Sequence, residues 1–297
     1  MKLLTHLYQN TILRPYFILR TWWPLWFYVL NSGPRAKLRS TRPALSAVQE
    51  RIVRELRTNG IAVTSLEELF PGEPILTTLQ AWTKTHSPVE DTAGRKKFLR
   101  EYWKLIPEFD VTNPFITLTL RDTVIDIVES YMDMWVRFKQ YHLGKTLPDP
   151  ERPLAGSQQW HRDPEEKRIC KMFIYLNDID ETAGPFTYLF GSTYGNRYGS
   201  LFPQKTPMGS YPAEAEVRQA GGNDIHPMTG SAGTVMFCDT SGLHYGGRAT
   251  HTERIMFTAA FASPLFSEGA RYHITDPTIL DNLPEKQRYL LSGPTIR

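Results

Sequence analysis

The first half of the chain places apolar residues at helical spacing. Between residues 44 and 58 they fall three or four positions apart, at Leu45, Val48, Ile52 and Leu56, and Asn-Gly at 59 and 60 is a stop signal. A short strand is predicted at 61–64. A second helix begins at Ser65, because a serine followed three residues later by glutamate favours a capped start. A third helix is predicted from Leu118 to Val136, with an apolar side formed by Leu120, Val124, Ile127, Val128 and Met132.

After Pro153 the pattern changes to short extended runs separated by Gly, Pro, Asn and Asp. Strands are predicted at 169–176, 185–190, 233–238 and 254–262, and such runs are typical of an antiparallel barrel or sandwich. Helices followed by strands predict a mainly β protein with α elements, a cupin-like jelly roll covered by an N-terminal helical layer. We place the helical layer at 41–140 and the jelly-roll core at 141–265, within a single domain that spans 41–297.

The composition fits one large domain or two smaller ones, in a reducing compartment. With 297 residues, of which 41% are hydrophobic, the chain can bury a substantial core. Its only cysteines are Cys170 and Cys238. No disulfide framework is therefore available, and a cytoplasmic location is favoured over secretion.

Residues 1–40 form a basic, aromatic-rich leader. Seven of the 34 basic residues but none of the 31 acidic residues precede Glu50, so the overall net charge of +3 becomes −4 for the remainder. The leader also contains Tyr16, Phe17, Trp22, Trp23, Trp26, Phe27 and Tyr28.

Aromatic residues beside cations suit a lipid headgroup boundary, although the apolar run is too short to span a bilayer. Two interpretations of the leader stay open: peripheral contact with a membrane, or packing of its aromatics on the body of the protein or across a dimer interface. No nucleic-acid recognition motif accompanies the basic residues, so nucleic-acid binding is not expected.

Two histidines and one carboxylate stand out as metal ligands. His161 and Asp163 are separated by one residue, so on an extended strand both side chains point to the same side. A third ligand should lie downstream, and His244 is preferred over His226 in a Gly-Asn-Asp loop and His251 in a polar turn. The other histidines, His6, His86, His142 and His273, are interpreted as surface or core residues. Two histidines and a carboxylate leave open positions on the metal, as in non-haem Fe(II) oxygenases.

Several motifs in a fixed order indicate a family. Trp-His-Arg-Asp starts at residue 160, and a strand then runs into Asn-Asp-Ile-Asp-Glu at 177–181 and a Gly-Pro turn. Gly-Ser at 191–192 and Asp-Thr-Ser-Gly-Leu-His-Tyr-Gly-Gly at 239–247 follow, with Arg254 on the next apolar run. This order resembles the phytanoyl-CoA dioxygenase family of Fe(II)- and 2-oxoglutarate-dependent oxygenases, over residues 45–265 at the level of pattern. His-x-Asp alone is weakly specific, whereas the ordered set is specific.

The resemblance implies a double-stranded β-helix in which His161, Asp163 and His244 hold Fe(II). It further implies that 2-oxoglutarate binds the metal and that its far carboxylate pairs with an arginine, whose planar fork can make paired hydrogen bonds. The family position points to Arg254. Arg248 is the rival, and its alternative role is an ion pair with Asp239.

Lys171 and Gly246 are two further positions near this site. Lys171 is a charged residue in an apolar strand, where alternation puts it on one face with Phe173 and Tyr175. It therefore either faces solvent or reaches a buried anion such as 2-oxoglutarate. Family members often place a hydroxyl residue two positions after the distal histidine as a carboxylate contact. Gly246 occupies that position here, so the contact must come from elsewhere or be absent.

The predicted activity is an Fe(II)- and 2-oxoglutarate-dependent dioxygenase reaction. In it O₂ hydroxylates a small organic or lipid-like substrate, with release of succinate and CO₂. The alternatives are a non-redox cupin-like metal isomerase, which would not require Arg254, and a non-catalytic jelly-roll binding protein. Substrate contacts are expected from residues 143–159 and 194–229.

Overall fold

The computed structural model describes residues 11, 14–90, 98–104, 106–204, 209–266 and 269–293. The helices are α1 (Arg14–Arg20), α2 (Ser32–Ser40), α3 (Ala47–Asn59), α4 (Leu66–Leu69), α5 (Ile75–Thr85), α6 (Pro114–Thr119), α7 (Asp122–Met132), α8 (Glu214–Gly221) and α9 (Glu285–Leu291), with a π-helix at Leu25–Leu30. The strands are β1 (Ile61–Ser65), β2 (Val89–Glu90), β3 (Leu99–Glu101), β4 (Arg137–Thr146), β5 (Cys170–Tyr175), β6 (Phe186–Leu189), β7 (Ile225–Met228), β8 (Thr234–Asp239), β9 (His244–Gly246) and β10 (Arg254–Ala262).

The strands pair into two antiparallel sheets that face each other. The larger has the order β1-β8-β5-β10-β4-β3-β2 and the smaller β7-β6-β9. Phe173 and Tyr175 of the larger sheet and Phe186 and Tyr188 of the smaller one meet in a single buried cluster. Two facing antiparallel sheets of this kind form a jelly roll, which confirms the predicted mainly β, cupin-like fold with added helices.

Helices cover the outer face of the larger sheet. Ile52 and Leu56 of α3, Val124 and Val128 of α7, and Met172 of β5 belong to one buried cluster. The helix predicted at 44–58 is confirmed as α3.

Capping residues fix both ends of α3. It begins after a capping box in which Ser46 Oγ accepts from the backbone N–H of Gln49, and it ends at Gly60 with φ 82°. Gly60 also lies against Tyr188, and a Cβ at this position would clash with the Tyr188 hydroxyl. Ser65 caps α4 as predicted, accepting from Glu68 N–H at 3.0 Å.

The single helix predicted from Leu118 to Val136 is wrong. The chain instead forms α6 and α7, because Arg121 adopts an extended conformation between them and Asp133 ends α7 with φ 56°. The apolar pattern continues across the break because both helices bury the same side against the sheet. Strand β4 begins at Arg137, so the boundary placed between residues 140 and 141 falls inside a strand. Part of the loop predicted from Leu143 is also strand.

The described part of the leader packs partly on the body of the protein. Trp26 and Phe27 are buried in the main core, which confirms the packing interpretation for these two aromatics. Arg20 pairs with Glu166 at 2.7 Å and Arg35 with Asp133 at 3.1 Å. Lys2 and His6 lie outside the described residues. Within the described part of the chain, no helix combines the length and apolar character needed to cross a bilayer.

Candidate metal centre

A cavity of about 250 Å³ opens between the two sheets and collects the predicted site residues. Its wall includes His161, Asp163, His244, Lys171 and Arg254. They come from the segment before β5, from β5 itself, from the start of β9 and from the start of β10. The fold therefore assembles residues that are more than 90 positions apart in the chain.

The three predicted metal ligands form one cluster. One donor atom from each of His161, Asp163 and His244 lies within 4.8 Å of the others, and His161 Nε2 is 3.8 Å from Asp163 Oδ1. Two backbone hydrogen bonds of 3.0 Å join residues 161 and 244, and Asp163 N–H donates to Thr240 O at 2.9 Å. The backbone thus holds the three side chains on one side of the cavity before any ion binds.

Both imidazoles are oriented by their second nitrogen. His161 Nδ1 lies 2.8 Å from Gln159 O, and His244 Nδ1 lies 2.9 Å from Gly242 O. A carbonyl oxygen only accepts, so each Nδ1 carries the proton and donates it. Each Nε2 therefore keeps a free lone pair, which is the arrangement that a metal-binding histidine needs.

The protonation states of the cluster suit metal binding. Burial lowers the pKa of His161 and lowers the pKa of His244 to about 3, so both rings are neutral at physiological pH. Burial alone would raise the pKa of the Asp163 carboxyl. The positive charge of Lys171 is the largest opposing effect, and together with the hydrogen bond from Lys171 it holds the pKa well below its usual range. Two neutral imidazoles and one carboxylate are the forms that coordinate a divalent ion.

Lys171 contacts the carboxylate of the cluster. Its Nζ donates to Asp163 Oδ2 at 2.6 Å, while Oδ1 of the same carboxylate is turned toward His161. The predicted alternation of β5 is confirmed, because Phe173 also lines the cavity whereas Cys170 and Met172 pack in the core behind the sheet. Lys171 therefore lines the cavity, and the described anion it reaches is Asp163. Its prediction as a residue that binds 2-oxoglutarate stays a prediction.

Arg254 projects into the cavity from the first position of β10. The residue is 5% exposed, and Nη2 donates to Thr146 Oγ1 at 3.4 Å. Its Nε and Nη1 have no hydrogen-bond partner among the described residues, and the nearby buried Thr258 Oγ1 has none either. A buried guanidinium with free donors is costly unless an anion completes its hydrogen bonds.

The rival residues lie elsewhere. Arg248 donates to Arg152 O at 2.7 Å and does not line the cavity. The alternative ion pair between Arg248 and Asp239 is wrong, because Asp239 accepts instead from Tyr131 Oη at 2.5 Å and from backbone N–H groups. His226 packs against Phe190 with ring centroids 4.1 Å apart, and His251 is exposed, so neither joins the ligand cluster.

Strand β4 forms a wall that sequence reasoning missed. His142 was predicted to be a surface or core residue, but it lines the cavity together with Gln140 and Lys139. Lys139 and Gln140 are consecutive, yet both reach the cavity. In the pairing with β10 consecutive Ala260 and Phe261 oppose residues 140 and 138, so Lys139 is the extra residue of a β-bulge. The alternation of polar and apolar positions over 140–143 is the signal that could have identified this strand.

The predicted substrate loops contribute little to this cavity. Ser157 is the contribution of the described residues between 147 and 159, and no described residue of 194–229 lines the wall. The Tyr211 ring lies 6.0 Å from the His161 ring, so that segment borders the metal cluster. Three further charged residues line the wall: Lys139, Glu165 and Arg271.

Comparisons with known proteins support the fold. No protein-family model matches the sequence, and no curated protein sequence is detectably similar. The resemblance to the phytanoyl-CoA dioxygenase family therefore stays a prediction.

Solved structures do match. The epimerase SnoN in complex with Fe3+, alpha ketoglutarate and nogalamycin RO aligns with a TM-score of 0.55 at 13% identity, over 84% of this chain and 94% of that chain. EctD from S. alaskensis with bound Fe aligns with a TM-score of 0.51 at 18% identity, over 75% of this chain and 78% of that chain. At such identities these likenesses establish the shared architecture.

Proposed function

We propose that this protein is an Fe(II)- and 2-oxoglutarate-dependent oxygenase that oxidises a small organic substrate with O₂. The observation that carries the proposal is the pairing of the His161–Asp163–His244 cluster with the unsatisfied guanidinium of Arg254 in one cavity. The cluster alone fits several kinds of metal enzyme. A buried arginine with free donors across the same cavity adds a receptor for a co-substrate that carries a carboxylate.

The ligand set matches the proposed metal. Two imidazoles and one carboxylate on one side of a cavity are the facial donor set of non-haem Fe(II) oxygenases, with the opposite positions open. Iron and 2-oxoglutarate, when bound, supply the activation of O₂, with succinate and CO₂ as the co-products. The structures of SnoN and EctD were determined with iron, and that of SnoN with alpha ketoglutarate as well.

The second carboxylate of 2-oxoglutarate fits the Arg254 end of the cavity. Arg254 Nε and Nη1 can donate to it, and Thr258 Oγ1 is a further free hydroxyl on the same strand face. Thr146, which already accepts from Arg254, holds the guanidinium in place. These two threonines supply the hydroxyl groups that Gly246 lacks. A Cβ at Gly246 would lie 3.5 Å from Arg254 Nη2, so glycine leaves the guanidinium accessible.

Lys171 acts as an orienting residue for the metal ligand. By donating to Asp163 Oδ2 it leaves Oδ1 directed to the cluster. The interaction also keeps the carboxylate ionised when the histidines are neutral. Replacing Lys171 with methionine therefore weakens metal binding, by about 10- to 100-fold as for other groups that orient a ligand.

The remaining wall favours a small substrate with both polar and apolar surface. Lys139, Gln140 and His142 stand on the β4 side, and Leu99 and Met256 add apolar surface. The cavity of about 250 Å³ is smaller than the 300–1,000 Å³ or so of pockets for drug-sized ligands. A small polar organic molecule fits this wall better than the lipid-like substrate that the leader suggested.

Anaerobic titration of the purified protein with Fe(II) and 2-oxoglutarate tests the proposal. The wild-type complex should develop the weak visible charge-transfer band of the 2-oxo acid on iron. Arg254→Gln should require at least about tenfold more 2-oxoglutarate, because the loss of a charge-assisted pair costs about 1.5–3 kcal/mol. Arg248→Gln is the matched control and should behave as wild type, since Arg248 lies outside the cavity. No band in iron-loaded wild type would refute the proposal in favour of a non-redox isomerase or a binding protein.

Inversion of a stereocentre is a second candidate outcome of the same chemistry. The structural alignment with the epimerase SnoN, at a TM-score of 0.55, favours its inclusion. Hydroxylation adds an oxygen atom to the product, whereas epimerisation leaves the mass unchanged. Mass spectrometry of products from a substrate screen under ¹⁸O₂, with succinate measured in parallel, separates the two outcomes.

A further inference from the structure

In the leader segment from Tyr16 to Leu30, many apolar side chains are exposed whereas a charged one is buried. Of the thirteen large hydrophobic residues that are exposed in the described part of the chain, seven lie in these fifteen positions, namely Tyr16, Ile18, Leu19, Trp22, Tyr28, Val29 and Leu30. Arg20, by contrast, is 5% exposed. Exposed apolar residues concentrated in this way mark a contact surface.

Three of the exposed residues of α1 and its continuation share one side. At about 100° per residue, Ile18, Leu19 and Trp22 fall within roughly a third of the helix circumference, and Arg20 falls on the opposite side. The turn continues beyond α1, since Trp22 N–H donates to Leu19 O at 3.2 Å and Trp26 N–H to Trp22 O at 2.8 Å. The leader thus presents an apolar ridge outward while its inward side holds on to the body.

The inward side is firmly anchored. Arg20 donates to Glu166 Oε1 at 2.7 Å, and Trp26 Nε1–H donates to Glu166 Oε2 at 3.0 Å. Glu166 is fully buried and also accepts from Ser263 Oγ. These buried contacts fix the orientation of the leader, so the outward direction of the ridge is a property of the folded protein.

Cations without carboxylate partners flank the ridge. Lys167 lies 3.7 Å from the centre of the Tyr194 ring, and the Arg168 guanidinium lies 4.7 Å from the centre of the Trp23 ring. No salt bridge to a described carboxylate exists for Lys167, Arg168 or Arg162. A second cavity of about 250 Å³ beside the leader is lined by Ile18, Thr21, Arg162 and Lys167, and no acidic residue contributes to its wall.

We propose that the outward ridge of residues 16–30 docks this protein on an anionic phospholipid surface, with Lys167 and Arg168 facing the headgroup phosphates. Tryptophan and tyrosine beside basic residues are the side chains that settle at the boundary between headgroups and acyl chains. The charge match comes from Lys167 and Arg168, which pair with no described carboxylate and lie against Tyr194 and Trp23. Four of the seven basic residues among the first 49 are already paired with carboxylates of the body, namely Arg20, Arg35, Lys37 and Arg42. The proposal concerns attachment only and is independent of the metal chemistry.

Vesicle flotation of the full chain tests the docking. We would compare vesicles of phosphatidylcholine with vesicles of phosphatidylcholine and phosphatidylglycerol. The wild type should bind both and prefer the anionic ones. The double substitution Leu19→Ser/Trp22→Ser should lower partitioning on both by more than about tenfold, because each residue loses the burial of an apolar side chain. Lys167→Gln should retain binding to the neutral vesicles and lose about fivefold on the anionic ones, the expected contribution of one basic residue near the surface.

Val89→Ser is the matched control, because Val89 is 58% exposed, as is Leu19, but lies on β2 outside the leader. It should bind as wild type does. Circular dichroism melting of every variant establishes that the fold is retained. Failure of the wild type to bind either vesicle overturns the proposal, and so does unchanged binding of Leu19→Ser/Trp22→Ser. If sedimentation instead shows a dimer that Leu19→Ser/Trp22→Ser dissociates, with no binding to vesicles, that result would assign the ridge to contact with a second copy of the chain.

Discussion

Alternate residues of the segment from His161 to Glu166 face two different regions of the molecule. His161, Asp163 and Glu165 face the cavity between the sheets, which we call the pocket side. Arg162 and Glu166 face the leader and the surrounding loops, which we call the leader side. Both sides are largely buried and both carry charges, yet they differ in how fully their polar atoms are bonded.

The leader side is saturated with hydrogen bonds. The Arg162 guanidinium donates to five backbone carbonyls, among them Ser241 O at 2.8 Å and Leu201 O at 2.8 Å. Both carboxylate oxygens of Glu166 have partners. On the pocket side, Nε2 of each histidine points to the cluster without a donor, and Arg254 keeps two unsatisfied nitrogens. Saturation indicates a structural role, whereas incomplete bonding in a cavity indicates that a ligand completes the site.

Arg162→Gln should have the largest effect on stability, because it removes hydrogen bonds of the leader side. The shorter amide cannot reach five carbonyls, and buried acceptors without donors are costly. We expect the free energy of unfolding in urea to fall by about 3–5 kcal/mol. Arg162→Lys should recover little of it, because one ammonium group cannot reproduce the planar fork.

Arg42→Gln is the control for charge alone, since its pair with Asp133 is exposed and contributes at most about 1 kcal/mol. If Arg162→Gln were as stable as wild type but failed to bind metal, Arg162 would belong functionally to the pocket side.

His244→Ala, on the pocket side, should act on metal affinity. We expect affinity for Fe(II), or for Co(II) as its air-stable substitute, to fall by more than about 100-fold, since loss of a direct ligand exceeds the 10- to 100-fold loss for a residue that orients one. In wild type, metal at about 100 times its dissociation constant should add about 2.7 kcal/mol to the free energy of unfolding, and the variant should lose this gain. His226→Ala is the control and should keep both, because His226 lies outside the cluster. Equal metal stabilisation of all three proteins would show that the cluster does not bind the ion.

The pocket side could be predicted from the sequence further than the leader side. His161 and Asp163 share a face by strand alternation alone, and the order of the motifs selected His244 and Arg254, which the structure brings into the same cavity. Arg162 sits between two predicted ligands, and its five carbonyl partners depend on loop conformations that no residue pattern encodes. A buried ion pair between residues 146 positions apart, as for Arg20 and Glu166, is likewise a property of the tertiary fold.

The errors in the predicted fold have a similar cause. The apolar pattern over 118–136 is continuous because α6 and α7 both pack on the sheet, so periodicity could not show the break at Arg121. Strand β4 was missed because the bulge at Lys139 limits its alternation to the four residues 140–143. Long, regular elements were predicted best, because packing there agrees with local preference. The ends of β10 are as predicted, and those of α3 differ by a few residues.

Glu129 tests whether incomplete hydrogen bonding alone indicates a ligand site, because it is buried and incompletely bonded but lies outside the cavity. Its Oε2 has no hydrogen-bond partner among the described residues and lies 3.5 Å from Lys286 Nζ. Burial raises the pKa of Glu129 to about 7, although Lys286 opposes the effect. The folded protein therefore binds this proton more tightly than the unfolded chain does. Stability from this group is present at low pH and is lost as pH rises from about 4.5 toward 7.

Glu129→Gln cannot titrate and should remove that dependence. Between about pH 5 and pH 8 the wild type should lose up to about 3 kcal/mol of unfolding free energy relative to the variant. Urea denaturation of both proteins at a series of pH values measures the difference, and metal affinity should be the same in both. Parallel pH profiles would mean that Glu129 is already ionised in the folded state. Unaltered metal binding would show that incomplete bonding indicates a ligand site only where a cavity accompanies it.

The smallest expected effect concerns the ion pair between Arg20 of the leader and Glu166 of the segment 161–166. In a double-mutant cycle of Arg20→Gln and Glu166→Gln, we expect a coupling free energy of about 1–3 kcal/mol in urea denaturation, because the two side chains are in contact and buried. Trp26 and Ser263 can still donate to the side-chain carbonyl that Glu166→Gln retains, which keeps the single variants folded. Metal affinity should change by less than about twofold in all three variants, since Glu166 and the metal ligands face opposite sides. If instead metal affinity falls in the variants that lose the Arg20–Glu166 pair, the two sides of the segment are energetically coupled. Attachment of the leader would then control the metal centre directly.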